Sequence, residues 1–488
     1  MSAFDMLNTV RKYKKIVAWG AGRLFEKHHD LLEGKFSYIV DKKSKLWGEK
    51  RNGVEIKAPE ELRKEEEKEA CLIVVFNIRF EEIVNSAKVM GAFDIIDIKM
   101  VEILSQYCRV PEAIFENQID VSQSILVCAG IHALWGTNGS RKFIDGQNEI
   151  IHRKGIATIE VAPLLYYKGC DNENPFLAVS VNGSYQGTFL LKSFLCKVTR
   201  VRGIIIHSLY YNHSILGVLL RQIKVQKNIL YYLHDYYCIC ENRFFYYQRK
   251  SCLNSDDSLN CHICDFQGAQ KENFLFHKEL FEKYAVKLIS PSQDTAKRVE
   301  QFYTDEMIVI PHLSFQEIEL KKTQKVVKRI AYIGGAYWLK GWDNYKTIVK
   351  RLRGKYEFFC LGKCMEKDSL EEITYVDICL GESNGVLNMT KALEKYEIDV
   401  VYLGAVWPET FSYTYYEAYE AGCFILTNKQ SGNICAQVRK NKNGLVFEDL
   451  EETICWLENR EKVTEAVANM CKRIVDVKAN ETFMEYIL

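Results

Sequence analysis

The chain has 488 residues, enough for about three domains, with 48% apolar and 26% charged residues, the balance of a soluble globular protein with ample core. Its 65 Lys and Arg nearly cancel its 64 Asp and Glu, for a net charge of +1, which argues against a dedicated nucleic-acid binder. The 17 cysteines are odd in number and scattered, and Cys71, Cys128, Cys360, Cys379 and Cys423 fall inside apolar strand-like runs. They therefore read as small buried hydrophobes rather than a disulfide framework.

The start, "MSAFDMLNTVRKYKK", carries no signal-peptide pattern, so the expected setting is cytoplasmic with reduced thiols. No apolar stretch reaches the ~18 residues of a membrane span. Strand-like runs alternate with helical stretches throughout, the pattern of α/β folds with parallel sheets.

The first unit, residues 1–105, opens with "KKIVAWGAGRLFEKHHDLL". A strand from Ile16 to Trp19 meets Gly20 and Gly22 and then a helix, and a second strand ends at Asp41. "CLIVVF" and "AFDIIDI" supply two more strands of a small Rossmann-like module. Gly-x-Gly lets backbone approach a phosphate, and the acidic residue could hold a ribose. Phe25 stands where the third glycine of the fingerprint belongs, so a tight turn that binds nothing is an equal reading. With "VDKK…WG…NGVEI", the segment resembles Rossmann-like modules appended to sugar-modifying and acyl-transferring enzymes.

A new sheet starts at "SILVCAG" and continues through "ATIEVAPL", "FLAVSVNG", "GIIIHSL", "NILYYLHD" and "VKLISPS" to "MIVIPHLS", giving a domain over 120–312. The turn Gly136-Thr137-Asn138-Gly139 precedes a helix bearing Arg141 and Lys142. His207 and His234 sit at strand ends, where side chains meet ligands in such sheets; a lone histidine is more often structural. Arg221, Lys224 and Lys227 fall at helical spacing beside an apolar face, which reads as a solvated face ahead of a contact with anionic lipid. Four thiolates, Cys240, Cys252, Cys261 and Cys264, with His262 between the last two, could hold a structural zinc. Only one Cys-x2-Cys is present where the strong signal needs two, so a metal-free insertion is the favoured reading, and no catalytic metal is expected.

The last domain, 313–488, carries the strands "RIAYIGG", "YEFFCLG", "TYVDICLG", "DVVYLGA" and "CFILTN", with a helix over Lys391 to Tyr396. Ligands of open parallel sheets bind beyond the carboxyl ends of the strands. There "IDVVYLGA" runs into "VWPETFS", and a helix start at Thr410, Phe411 and Ser412 would offer free N–H groups to a diphosphate. Glu409 beside it could accept hydrogen bonds from neutral hydroxyls such as a sugar offers, and Glu417, about two turns on, could reach a ribose. "AYIGGAYWLKGWDNY" brings Lys340 behind a second glycine turn, as a point charge for a departing diphosphate.

The Glu-x7-Glu spacing of Glu409 and Glu417, within "WPETFSYTYYEAYEAGCFILTN…NGLVF", resembles that of the retaining glycosyltransferases of family four, over most of residues 120–488. The resemblance implies a GT-B fold, two Rossmann-like domains facing across a cleft, here preceded by the small Rossmann-like module. It implies a nucleotide-diphosphate sugar as donor, a glycan or lipid-linked glycan as acceptor, no required cofactor, and a place in polysaccharide or glycoconjugate assembly, in the cytoplasm or peripherally at the inner face of a membrane. It also implies Glu409 and His234 near the reacting sugar, Lys340 on the diphosphate, Glu417 on the ribose, Gly335 and Thr410–Ser412 around the donor, and the loop of Gly136 and Gly139 closing over the donor phosphates or lining the acceptor site. The family's arginine, a few residues before the lysine, is missing: Gly334 and Gly335 stand there. That departure leaves a catalytically weak partner subunit of another transferase as the alternative. A nucleotide-sugar oxidoreductase using the first module is a third reading, which the incomplete glycine fingerprint disfavours.

Overall fold

The computed structural model describes residues 13–32, 35–77, 80–98, 101–102, 115–130, 134, 138–163, 166–167, 176–207, 213–240, 242–247, 250–252, 269–303, 307–320, 326–362, 370–378 and 388–488. Gly136, Thr137, Cys261, His262, Cys264 and Cys379 lie outside them. The chain divides into two compact units, one of Met1–Gly136 with Ile151–Asn228, the other of Thr137–Ile150 with Ile229–Leu488.

In the first unit, Lys15–Trp19 lies between Tyr38–Val40 and Cys71–Val75, parallel to both, and Asp94–Asp97 continues the parallel order. Antiparallel strands Lys50–Arg51 and Tyr166–Tyr167 close the edges. The four central strands are apolar because both faces are covered. Asp41 is tied into the backbone of the turn. Its carboxylate accepts from the N–H of Ala21 at 2.9 Å and of Lys43 at 2.9 Å, bracing the glycine turn from inside. Phe25 is fully buried, with ring centroids 5.5 Å from Phe36 and 5.1 Å from Phe76. An aromatic cluster thus packs at the fingerprint's third-glycine position, and the helix that follows the turn is only six residues long. These contacts favour the packing reading of the turn.

The same unit holds a second sheet with Ile125–Ala129 parallel to both Thr158–Pro163 and Gly203–His207. Phe176–Val181 and Ser184–Leu190 form an antiparallel hairpin on its edge, an addition to the parallel strands that the alternation implies. The cause is Asn182-Gly183, both at positive φ (48° and 78°), the two-residue turn whose twist matches paired strands. The helix His213–Gln222 ends before Lys224, which lies on a short strand pairing with Arg200–Val201. Arg221, Lys224 and Lys227 therefore do not share one helical face, and the lipid-facing reading falls. Among the described residues no helix is long and apolar enough to cross a membrane.

The second unit contains three parallel strands, Ile229–Tyr232, Lys287–Ser290 and Ile308–Val309. Its other sheet has six parallel strands in the order Ile373–Val376, Glu357–Leu361, Arg329–Ile333, Val400–Tyr402, Phe424–Asn428, Gly444–Phe447. Numbered along the chain this is 3-2-1-4-5-6, the doubly wound order whose direction reverses between its first and fourth strands. The α/β expectation thus holds. Trp342, Tyr345, Tyr332 and Phe358 fill the core beneath that reversal. A two-stranded antiparallel ribbon, Leu313–Glu319 with Lys472–Ala479, completes the unit.

Candidate functional site

The reversal point is where the sequence placed its two motifs. Beyond Arg329–Ile333 the chain turns at Gly334, forms a short helical turn Trp338–Lys340, and enters the helix Trp342–Arg351 through Gly341. Beyond Val400–Tyr402 it runs through Leu403 and Trp407 to Glu409. The two loops are bound to each other: the N–H of Val406 donates to the carbonyl of Leu339 at 3.0 Å. Gly341, at φ 83°, lies so close to Gly404 that a Cβ would sit 2.1 Å from its carbonyl oxygen.

Beneath the Glu409 loop, Ser431 Oγ donates to Ala405 O at 2.9 Å, Asn428 Nδ2 to the same oxygen at 3.1 Å, and Asn433 N–H to Glu409 O at 2.8 Å. Gly432, at φ 59°, brings its backbone under Pro408 and Glu409, where a Cβ would meet Glu409 N at 2.7 Å. These bonds hold the loop backbone at Ala405 and Glu409 from the segment Asn428–Asn433.

That side chain is 3% exposed and carries the ammonium of Lys340 as its partner. Lys340 is itself 45% exposed and hangs 5.7 Å from the centroid of the Trp407 ring. A buried carboxylate without such a partner would be costly; with it the site holds both charges at the mouth of the reversal point.

The predicted helix start needs one adjustment. The helix is Tyr413–Glu420, with Ser412 as its N-cap accepting from the N–H of Tyr415 at 3.4 Å. Thr410 lies ahead of it, its hydroxyl donating to the carbonyl of His234 at 2.7 Å and its own carbonyl accepting from Thr295 Oγ1 at 3.3 Å. Thr410 is therefore a tie that brings the His234 loop to the Glu409 loop. Phe411 stacks on Tyr416 with centroids 4.8 Å apart and packs 4.4 Å from His312.

Glu417, on that helix, accepts from Lys142 Nζ at 2.9 Å. Lys142 lies in the first turn of Gly139–Arg153, where Asn138 Oδ1 accepts from the N–H of Arg141 at 3.0 Å. Gly139 lies beside Tyr413; its ideal Cβ would make an ordinary contact with that ring at 3.4 Å. Lys142 was noted in the sequence only as a residue of this helix. Its ammonium sits 4.9 Å from the Tyr413 ring centroid, so it bridges ring and carboxylate. Gly335 accepts through its carbonyl from the Tyr332 hydroxyl at 2.8 Å, and the Tyr337 ring fills the space a side chain at 335 would need, 2.3 Å from the ideal Cβ.

His234 is packed among Phe143, Tyr232 and His312 at centroid distances of 5.5, 6.2 and 5.4 Å. Burial pulls its imidazole from 6.5 down to about 4, so it is neutral at physiological pH. A depressed histidine means that the unfolded chain takes up the proton first. Stability contributed by the neutral ring is present above 6.5 and is lost as pH falls toward 4. Melting temperature should fall over that window more steeply in the parent than in His234→Gln, and parallel profiles would refute the assignment. His207, the weaker strand-end candidate, is fully buried at the end of Gly203–His207, in the other unit.

Of the four candidate zinc ligands, Cys240 is buried and Cys252 half-buried, while Cys261 and Cys264 lie outside the described residues. Among the described residues no group of three or more His, Cys, Asp or Glu could hold a metal.

No family model and no curated protein matches the chain. Solved structures do. A sucrose-phosphate synthase from Thermosynechococcus elongatus matches at 11% identity over 71% of this chain and 95% of its own, with a TM-score of 0.45. Anabaena Alr3699/HepE in complex with UDP matches at 11% identity over 71% and 92%, with a TM-score of 0.46. TarM matches at 11% identity over 94% and 93%, with a TM-score of 0.41. With TM-scores below 0.5, these likenesses leave the reading of the site to its own residues.

Proposed function

We propose that the chain is a retaining glycosyltransferase of GT-B type, with 120–312 as acceptor-side domain and 313–488 as donor domain. It moves a sugar from a nucleotide-diphosphate sugar to a hydroxyl of a glycan or lipid-linked glycan, in the cytoplasm, during polysaccharide or glycoconjugate assembly. One observation carries the reading: an ammonium and a buried carboxylate, Lys340 and Glu409, meet at the strand-order reversal of a 3-2-1-4-5-6 parallel sheet. As the bond between sugar and diphosphate breaks, positive charge grows on the anomeric carbon and negative charge on the departing diphosphate. Lys340 opposes the second charge. Glu409 accepts hydrogen bonds from sugar hydroxyls and holds the ring in place. Retention, like the roles of Gly136, Gly139 and Gly335 around the donor, follows the family resemblance.

The glycine turn favours a second reading. Gly334 and Gly335 bring no cation, and the space beyond Gly335 is taken by Tyr337. A chain with half of its phosphate clamp replaced could serve as the partner subunit of another transferase. One experiment separates the two. Purified protein is heated with UDP-, GDP-, ADP- and TDP-sugars, and release of the free nucleoside diphosphate is followed in parallel. A transferase shows a raised melting temperature with one of them together with slow release of its diphosphate. Stabilisation without release identifies the partner subunit; no stabilisation by any of them rules out the donor site.

A further inference from the structure

Both carboxylates of the Glu-x7-Glu pair are already holding lysines. Glu409 has Lys340 from its own loop system, and Glu417 has Lys142 from a helix 275 residues earlier in the chain. The second pair is open to solvent, with side-chain exposures of 46% for Lys142 and 17% for Glu417. Such a half-exposed pair contributes little net stability. Nor does its helix favour it, since an ammonium in the first turn faces the positive end of the helix dipole. What holds Lys142 in place is Glu417 on one side and the Tyr413 ring on the other.

We infer that Lys142 is an exchangeable counter-ion that guards Glu417. In the free protein its ammonium occupies one oxygen of the carboxylate expected to bind ribose. When a nucleoside diphosphate enters, the ammonium passes to a phosphate oxygen, and Glu417 is freed to accept the ribose hydroxyls. The inference rests on the donor-site reading above and adds a residue that sets donor selectivity. A nucleoside alone must compete with Lys142 for Glu417, whereas a nucleoside diphosphate supplies the anion that draws Lys142 away. The site thereby discriminates in favour of ligands carrying phosphate.

The signature is a crossing of two affinities. Calorimetric titrations use UDP, GDP and ADP with the matching nucleosides uridine, guanosine and adenosine, on the parent, Lys142→Met and Lys142→Arg. For whichever base the parent binds, Lys142→Met should bind the diphosphate about threefold more weakly and the nucleoside about threefold more tightly. Lys142→Arg, which keeps the charge, should follow the parent on both. If Lys142→Met weakens both ligands together, or changes neither, Lys142 is a structural residue and the exchange is wrong. If the parent binds none of the three diphosphates, the donor-site reading fails first and takes this one with it. Lys142→Gln, which keeps a polar tip, repeats the comparison should the methionine variant fold poorly.

Discussion

Lys340→Met is expected to lower kcat/KM for sugar transfer about 100- to 1000-fold, the usual loss when one preorganised group facing developing charge is removed. Glu409→Gln should cost about 10- to 100-fold, the equivalent of losing hydrogen bonds to a charged acceptor. The two changes differ in what they do to the fold. Glu409 is 3% exposed, so removing its lysine leaves a buried carboxylate without its counter-ion. Glu409→Gln leaves Lys340 unpaired, but that ammonium is 45% exposed and water solvates it. The melting temperature should therefore fall in Lys340→Met and hardly move in Glu409→Gln. The double variant should lose less than the product of the two single losses, because the two side chains touch and neighbours in contact do not add. Near-parental turnover in Glu409→Gln would break the link between this pair and the chemistry.

The components of this site were legible in the sequence to very different degrees. Strands such as Arg329–Ile333, Val400–Tyr402 and Phe424–Asn428 were visible because strands covered on both faces must be continuous apolar runs, and glycines mark where they stop. Glu409 and Lys340 were visible because each lies in the loop just beyond such a stop, seven residues past Tyr402 and Ile333 respectively. The hairpin Phe176–Val181 with Ser184–Leu190 was written in Asn182-Gly183, a local signal outweighed by the alternation of strands and helices around it. Lys142 could not have been paired with Glu417 from pattern alone. Nothing in a lysine on an amphipathic helix says which of many carboxylates, 275 residues away, the fold will bring to it. The ribbon Leu313–Glu319 with Lys472–Ala479 was hidden for the same reason: its strands are only partly buried and rich in charged residues, and their pairing is non-local. Local steric and burial rules can be read from sequence directly. Long-range charge pairing emerges only after the sheets have set the distances.

Gly341→Ala should be strongly damaging to the second unit. Two costs combine. At φ 83° an alanine occupies the left-handed region, which disfavours any residue with a Cβ by about 1–2 kcal/mol. Its methyl would also lie 2.1 Å from the Gly404 carbonyl oxygen and 2.7 Å from the carbonyl carbon, both backbone atoms that no rotamer change can move aside. Relieving such an overlap costs about 1–3 kcal/mol more. Gly354 separates the two terms, since it has φ 77° in the same unit but nothing within 4 Å of its ideal Cβ. Gly354→Ala should show the conformational cost alone, and Gly341→Ala both. In calorimetry the transition of this unit should fall by about 2–4 °C for each kcal/mol, so Gly341→Ala should melt several degrees below Gly354→Ala. The separation this forces between the two loops also draws Lys340 away from Glu409, because Leu339 and Val406 are joined by the backbone bond beside that contact. Gly341→Ala should thus lose transfer activity even where it remains folded, while Gly354→Ala keeps it. Equal melting temperatures for the two variants would mean that the loops are not held as closely as the Gly341–Gly404 approach requires.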